Sequence, residues 1–213
     1  MSKVVDHDVR RHEILSKARH LFAEHGYDQV TYQQLADACG LSRTVLYKYF
    51  TDKKELFDSA LAEMTANIGA NLRQAIVKNP KLPAAAKLDM VLHQTIDLCL
   101  SNPALMRCII EYLTAQRRQG ESVEKRIRRH TVAFRRMIRT ILQEGIDRGE
   151  FANFKVSSAE DIIFSLMQSV AINIMFDDQP DRERLFRNSR NIIRALRIYS
   201  PYDENGRERD DGL

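Results

Sequence analysis

Residues 31–57 read TYQQLADACGLSRTVLYKYFTDKKELF. Thr31 and Gln34 have the spacing of a capping box, which predicts that a helix begins at Thr31. Gly40 is expected to end this helix, because glycine adopts the backbone conformation of a tight turn without strain. A second helical pattern follows directly. Two short helices joined by a glycine turn predict a helix-turn-helix over about residues 31–50.

The second helix of this pair, residues 42–50, is expected to be capped by Ser42 and to be about 13 Å long at about 1.5 Å per residue. The major groove of B-DNA is about 12 Å wide, so a helix of this length could lie in it. Arg43 could then bond guanine, and Thr44 could contact another base edge or a thymine methyl. Phosphate contacts, which position a protein on DNA, are expected from Tyr47, Lys48 and Tyr49.

Aromatic side chains surround Lys48 in the sequence Tyr47–Phe50. A solvated surface helix has little use for two tyrosines, so this mixture of aromatic and cationic groups favours nucleic-acid binding over a structural helix pair. Thr31 and Lys53, each near a helix start, could bind phosphates on either side. The complete set of predicted DNA contacts is Thr31, Tyr32, Gln33, Ser42, Arg43, Thr44, Tyr47, Lys48, Tyr49 and Lys53.

Helical periodicity continues through the rest of the chain, which has only 8 glycines and 5 prolines in 213 residues. This predicts an all-α protein of about nine helices. The capping pattern recurs at Asp52–Glu55 and at Ser157–Glu160. Residues 1–12 are expected to fray, a last helix is expected over about residues 182–199, and the charged residues 202–213 are expected to be disordered.

The charge of the chain permits a polyanionic partner without requiring one. The formal net charge is +4, but residues 1–57 contain nine Lys or Arg against eight Asp or Glu. Bulk charge therefore does not indicate DNA binding, and the indication must come from particular side chains.

Cysteine usage and hydropathy predict the compartment. Cys39, Cys99 and Cys108 lack the spacing of a zinc site or a redox pair, so reduced thiols are expected. We find no signal-peptide pattern and no apolar run near the roughly 18 residues of a membrane span. The sequence predicts a soluble cytoplasmic protein with no cofactor, no metal and no membrane partner.

Residues 10–57 closely resemble the TetR/AcrR family of bacterial regulators. The residues that carry the resemblance lie in the predicted helix pair and the helix before it: Ala18, Leu21, Phe22, Gly26, Tyr27, Thr31, Leu35, Ala36, Gly40, Leu41, Ser42, Leu46, Tyr47, Tyr49, Phe50, Lys53, Leu56 and Phe57. The positions of Lys48 and Tyr49 vary in that family, so the resemblance does not supply an operator sequence.

The resemblance implies an N-terminal three-helix DNA-binding domain over residues 1–55 and a C-terminal helical ligand-binding and dimerisation domain over residues 56–201. It further implies a regulator, most commonly a repressor, that binds a palindromic double-stranded DNA operator as a homodimer. A small-molecule effector would control it by binding one conformation better than another.

Candidate residues for the ligand pocket are apolar or adaptable side chains of the middle helices: Met64, Ile68, His93, Ile96, Cys99, Ile109, Tyr112, Phe134, Ile138 and Met167. Candidates for a four-helix dimer interface form apolar stripes on the last two helices: Ile163, Leu166, Val170, Ile174, Leu185, Ile192, Ile193 and Leu196. Ordinary packing within one chain is the alternative for both sets.

An arginine-rich run could attract an acidic effector or the DNA backbone, although such runs more often form a solvated helix face. Its members are Arg126, Arg128, Arg129, Arg135, Arg136 and Arg139.

Two other classes of protein fit the sequence less well. An enzyme would need paired carboxylates, a nucleophile beside a base, or a metal-ligand cluster, and the sequence offers none of these patterns. A helical ligand-binding or adaptor protein without DNA activity would not require Arg43, Tyr47 and Lys48 on one exposed face.

Overall fold

The computed structural model describes residues 2–177 and 179–197, with side chains from residue 7 onward. Over these ranges the chain is all-α, with one isolated antiparallel bridge between Phe151 and Arg197 and no strands. The prediction of about nine helices is confirmed. The helices are α1 (Ser2–His25), α2 (Tyr32–Ala38), α3 (Arg43–Leu46), α4 (Lys53–Lys78), α5 (Ala84–Ser101), α6 (Pro103–Arg118), α7 (Val123–Asp147), α8 (Val156–Phe176) and α9 (Arg182–Leu196).

The first helix begins much earlier than the sequence predicts. α1 starts at Ser2, so the expected fraying of residues 1–12 is wrong for its described part. Polar side chains there tie the helix to its neighbours: Arg10 donates to the Cys39 carbonyl at 3.0 Å, and His12 bonds Glu63 at 2.8 Å. The expected disordered tail, residues 202–213, lies outside the described residues, as does the end of the predicted last helix beyond residue 197.

Two hydrophobic clusters organise the helices. The first joins α1, α2 and α3 to the start of α4 and reaches Cys108 and Tyr112 of α6. The second is built from α5, α7, α8 and α9, together with Leu72 from the far part of α4. Because α4 contributes to both clusters, it connects the N-terminal head to the larger helical body. A domain boundary between residues 55 and 56 stays a prediction.

The predicted capping box at Ser157 and Glu160 is wrong. α8 begins one residue earlier, at Val156, after Lys155, whose side chain makes no capping bond. Glu160 is 2% exposed and binds two arginines of α7 instead. The carboxylate is therefore used by a neighbouring helix, which the local spacing could not indicate.

α8 also corrects the hydropathy prediction. Within its 21 residues, Val156–Phe176, an 18-residue window has a mean hydropathy of 1.3, so the helix is long and apolar enough to cross a membrane by length and composition. One such helix is weak support for a membrane span, because core helices of soluble proteins pass the same test. Ile163, Val170 and Ile174 of α8 pack in the second hydrophobic cluster.

Gly145 allows a close approach between α7 and the chain that follows it. A Cβ atom added to Gly145 would lie 2.1 Å from Cδ2 of Phe151. Phe151 is 1% exposed and belongs to the second cluster. The absence of a side chain at residue 145 therefore creates the space that this ring fills.

Candidate DNA-binding surface

The caps and the glycine turn of the helix pair form as predicted. The Thr31 hydroxyl accepts from Gln34 N at 3.2 Å, and Gln34 Oε1 accepts from Thr31 N at 2.8 Å, which completes the capping box. Gly40 has φ +66°, a conformation that favours glycine. Ser42 then caps α3 by accepting from Val45 N at 3.3 Å. The helix-turn-helix is confirmed.

The second helix is shorter and less regular than expected. α3 spans only Arg43–Leu46, about 6 Å at about 1.5 Å per residue, so the predicted nine-residue helix is wrong. The chain continues as a tighter turn, in which Lys48 N donates to Val45 O at 3.1 Å. The Tyr32 hydroxyl donates to the Phe50 carbonyl at 2.6 Å and holds the end of that turn against α2. Burial raises the pKa of Tyr32 to about 12.

Seven of the ten predicted DNA contacts in the helix pair and at its caps are exposed. They are Thr31, Gln33, Ser42, Arg43, Thr44, Tyr47 and Lys48. Tyr47 is 47% exposed, stacks on Tyr32 with ring centroids 4.5 Å apart, and accepts from Arg43 Nη2 at 3.2 Å. The aromatic and cationic groups therefore form one ordered, solvent-facing patch.

Lys53 has a different position from the one predicted. Its ammonium group donates to the carbonyls of Tyr27 at 2.9 Å, Val30 at 2.9 Å and Asp28 at 3.4 Å. These three bonds use all three ammonium hydrogens. Burial lowers the pKa of Lys53. Lys53 therefore anchors the loop before α2, and the prediction that it binds phosphate is corrected to a positioning role.

Tyr49 points partly away from the exposed patch. It is half-buried and stacks on the ring of His7, with centroids 4.6 Å apart. His7 is an exposed residue of α1 that the sequence reasoning missed, because the segment was expected to fray. Its place beside Tyr49 brings the first turns of α1 next to the helix pair.

A polar cluster joins the head to the helical body. Arg126 of α7 donates to both carboxylate oxygens of Asp58 of α4 and to the hydroxyl of Tyr112 of α6, the last at 2.6 Å. Tyr112 also packs against Tyr27 and Phe57 with ring centroids 4.5 and 4.6 Å apart. Burial and the Asp58 charge raise the pKa of Tyr112. Sequence reasoning missed Asp58, because nothing local relates it to a residue 68 positions away.

The predicted ligand residues are divided between the two clusters. Tyr112, Met64 and Ile109 belong to or pack on the head cluster, and the Tyr112 hydroxyl already has two partners. His93 is exposed and stacks on Phe186, with ring centroids 4.0 Å apart. The others pack in or against the second cluster: Ile68, Ile96, Cys99, Phe134, Ile138 and Met167.

The predicted dimer residues lie mostly inside one chain. Six of the eight are at most 9% exposed: Ile163, Leu166, Val170, Ile174, Leu185 and Ile193. Ile192 and Leu196 are half-buried against the same core. Because these side chains are covered within a single chain, the structure favours the alternative of ordinary intrachain packing. The exposed apolar side chains of α8 are instead Ile162, Ile172 and Phe176.

The arginine-rich run does not form one solvated face. Arg126 is buried, and Arg135 and Arg139 both bind the buried Glu160, at 2.9 Å for Arg135. The exposed members are Arg128, Arg129, Arg136 and Arg139. Three of the six therefore pair with carboxylates of other helices. Within the described ranges, no group of three His, Cys, Asp or Glu side chains is placed to hold a metal ion.

Two family models match the chain. The model for bacterial regulatory proteins of the tetR family matches residues 14–60, which include the whole helix-turn-helix. The model for the C-terminal region of QacR-like proteins matches residues 85–196, more than half of the chain.

Curated relatives include several transcriptional repressors. The chain is 43% identical over 61 residues to the repressor Rv1474c of Mycobacterium tuberculosis, a match that covers 29% of this chain and 33% of that protein. It is 30% identical over 151 residues to the repressor AcnR of Corynebacterium jeikeium, covering 62% of this chain and 79% of the relative. The match to the AcnR of Corynebacterium diphtheriae covers only 35% of that protein, much like the match to Rv1474c.

Solved structures share the fold over nearly the whole chain. FadR from Bacillus subtilis, solved in complex with stearoyl-CoA, has a TM-score of 0.71 at 24% identity and covers 88% of this chain and 98% of its own. A TetR transcription regulator from Haloarcula marismortui has a TM-score of 0.78 at 20% identity. The match covers 90% of this chain and 100% of that chain. The family models, and the fold that agrees with them, lead to one conclusion: the chain belongs to the TetR family of bacterial regulatory proteins.

Proposed function

We propose that this protein is a DNA-binding transcriptional repressor of the cytoplasm that binds a palindromic operator as a homodimer and is controlled by a small-molecule effector. The observation that carries the proposal is the exposed patch of Arg43, Thr44, Tyr47 and Lys48 directly after the Gly40 turn. This is the position from which a helix-turn-helix reaches base edges.

The side chains of the patch divide by chemistry. Arg43 and Thr44 are on the first turn of α3, where the N-terminal residues of a recognition helix contact base edges. The exposed Lys48 and the hydroxyl of Tyr47 are suited to phosphates, which fix register without distinguishing sequence. The Arg43–Tyr47 hydrogen bond orders the guanidinium before DNA arrives, so less side-chain entropy is lost on binding.

A second copy of the chain is proposed to cover the outer face of α8. Ile162, Ile172 and Phe176 are 58%, 57% and 84% exposed, and the small Ser169 lies between them at helical spacing. Exposed apolar stripes of this kind mark protein interfaces. An isologous dimer through α8 and the adjacent α9 would present two helix pairs to successive major grooves, about 34–36 Å apart.

Fluorescence anisotropy with labelled DNA across a salt series tests the function. We expect the association constant to fall steeply as salt rises, because phosphate contacts release counterions. A selected operator should bind at least about 10³-fold more tightly than random DNA of the same length. An adaptor without DNA activity would show no binding to either duplex at low salt, and that result would exclude the proposal.

A further inference from the structure

A cleft of about 640 Å³ opens between the end of α6, the start of α7 and α8. This volume lies within the roughly 300–1,000 Å³ of small-molecule sites. Val123, Ile127 and Phe164 give the cleft apolar walls, and Arg117, in the last turn of α6, also lines it. None of the ten ligand residues predicted from the sequence lines this cleft. Its lining has both an apolar and a cationic part.

Two of the three lining carboxylates are neutralised within the cleft. Asp161 pairs with Arg135 at 3.0 Å, and Glu124 pairs with Arg128 at 3.3 Å. Arg135 also binds Glu160, which Arg139 binds as well, so these two arginines balance the charges of Asp161 and Glu160. Glu124 and Arg128 balance each other. These groups therefore leave no unpaired charge at that side of the cleft to bind a charged ligand.

The third carboxylate, Glu121, is neutralised from outside the cleft. It binds Lys54 Nζ at 2.5 Å and Arg126 Nη2 at 3.0 Å. Hydrogen bonds from these two cations lower the pKa of Glu121. Arg117 consequently has no carboxylate partner among the residues that the structure describes, and the cleft has an excess of positive charge at this point.

We propose that the cleft binds a small amphiphilic anion. Its carboxylate or phosphate group pairs with Arg117, because a guanidinium forms strong charge-assisted bonds with either group. Its apolar chain packs on Val123, Ile127 and Phe164, from which it displaces water. The neutral pairs of the cleft remain as they are.

The effect of ligand binding in this cleft is transmitted to the DNA-binding head through Glu121. Lys54, its partner, lies in the first turn of α4, beside the Lys53 that anchors the loop before α2. Arg117 and Glu121 both line the cleft, so an anion bound to Arg117 repels the Glu121 carboxylate and weakens its bond to Lys54. This second step rests on the proposed function, whereas binding in the cleft does not.

Isothermal titration calorimetry of the full chain without DNA tests the binding step. The probes are dodecanoate and dodecyl phosphate below their micelle concentrations, with dodecanol lacking the charge and acetate lacking the chain. We expect one anionic probe per chain to bind, and dodecanol and acetate to bind at least about tenfold more weakly. Equal affinity for dodecanol and dodecanoate would overturn the anion site, and a difference between the two anions would identify the preferred head group.

Two arginines of α6 provide a matched pair of variants. R117Q is expected to weaken dodecanoate binding about tenfold, because it removes one charge-assisted contact. R118Q changes an exposed neighbour that does not line the cleft and is expected to leave the affinity unchanged. Circular dichroism confirms that both variants fold. Equal losses in R117Q and R118Q, or no loss in R117Q, would place the ligand elsewhere.

The coupling step is tested with E121Q. We expect dodecanoate to weaken operator binding by the wild-type protein and to have no effect on E121Q, while its affinity for E121Q is equal or higher because the repulsion is removed. If E121Q still responds to dodecanoate, the coupling does not pass through Glu121. Failure of operator binding without ligand would instead contradict the proposed function, and the calorimetry would remain valid.

Discussion

Arg126 of α7 and Asp58 of α4 form a part-buried ion pair in which one guanidinium nitrogen contacts both carboxylate oxygens. The side chains are 10% and 26% exposed, and the Tyr112 hydroxyl contacts both of them. Together with the Lys54–Glu121 pair, this ion pair forms a polar contact between α4, the helix that leaves the head, and the helical body. It fixes the start of α4 relative to α6 and α7.

We predict that Arg126→Ala lowers the free energy of unfolding by about 3 kcal/mol, because it leaves the Asp58 charge and the Tyr112 hydroxyl without their partner. Urea unfolding followed by circular dichroism measures the change. Arg128→Ala removes an arginine that is 75% exposed and should cost less than about 0.5 kcal/mol. Equal costs in the two variants would contradict a special role for Arg126.

Arg43→Ala and Lys48→Ala are predicted to affect DNA binding differently. Loss of Arg43 should remove about 1–3 kcal/mol of discrimination between the operator and a variant operator at the contacted base pair. Loss of Lys48 should weaken all sequences alike and reduce the salt slope by about one. Anisotropy on a set of single-base operator variants measures both quantities. Equal loss of base preference in the two variants would refute this division of roles.

Lys53→Met is predicted to weaken DNA binding without changing the salt slope. The three carbonyls that hold the ammonium group leave it no hydrogen for a phosphate, so no counterion release is lost with it. The variant should instead lower the free energy of unfolding by about 1–3 kcal/mol, because the carbonyls of the loop before α2 lose their donor. A salt slope reduced as in Lys48→Ala would show that Lys53 contacts phosphate.

Gly145→Ala is predicted to destabilise the protein by about 1–3 kcal/mol, because the added Cβ would overlap the buried Phe151 ring. Gly69→Ala is the matched control, since Gly69 is also inside a helix and its nearest atom to an added Cβ is Arg73 Nη1 at 3.6 Å. Better helix propensity should make that variant about 0.5–1 kcal/mol more stable. If thermal unfolding shows that both substitutions shift the melting temperature in the same direction, the steric argument is contradicted.

Ile172→Arg is predicted to dissociate the dimer, because it places a charge in the centre of the proposed apolar interface. Sedimentation velocity should then report a monomer, and operator affinity should fall because the two half-sites are no longer bound together. Val77→Arg alters an apolar side chain of α4 that is 75% exposed and should leave the association state unchanged. A dimer that persists in Ile172→Arg would place the interface on another surface.

Predictions from local spacing succeeded where the interaction itself is local. Thr31, Ser42 and Asp52 all cap helices through bonds to a backbone N–H three residues ahead. The positive φ of Gly40 and the exposure of Arg43 and Lys48 follow from the same short stretch. Such bonds close within one helical turn and therefore need no information from the rest of the chain.

Predictions failed where a distant group uses the same atoms. Glu160 was expected to complete a capping box, but Arg135 and Arg139 of α7 take its carboxylate. Lys53 was expected to face phosphate, but carbonyls 23 to 26 residues earlier surround it. Hydrogen-bonding capacity is limited, so the partner with the better geometry decides the role, and sequence spacing carries no information about that partner.

The family, the all-α class and the helix-turn-helix are properties of short-range pattern, because caps, glycine turns and apolar periodicity act within a few residues. Packing between helices far apart in the chain decides which face of α8 is buried and which arginine joins α4 to α7. It also decides where a ligand-sized cleft opens. Apolar periodicity marks the side of a helix that avoids water, but the same stripe can pack within one chain or against a second copy. Only the folded arrangement separates the two, because it shows which side chains are already covered.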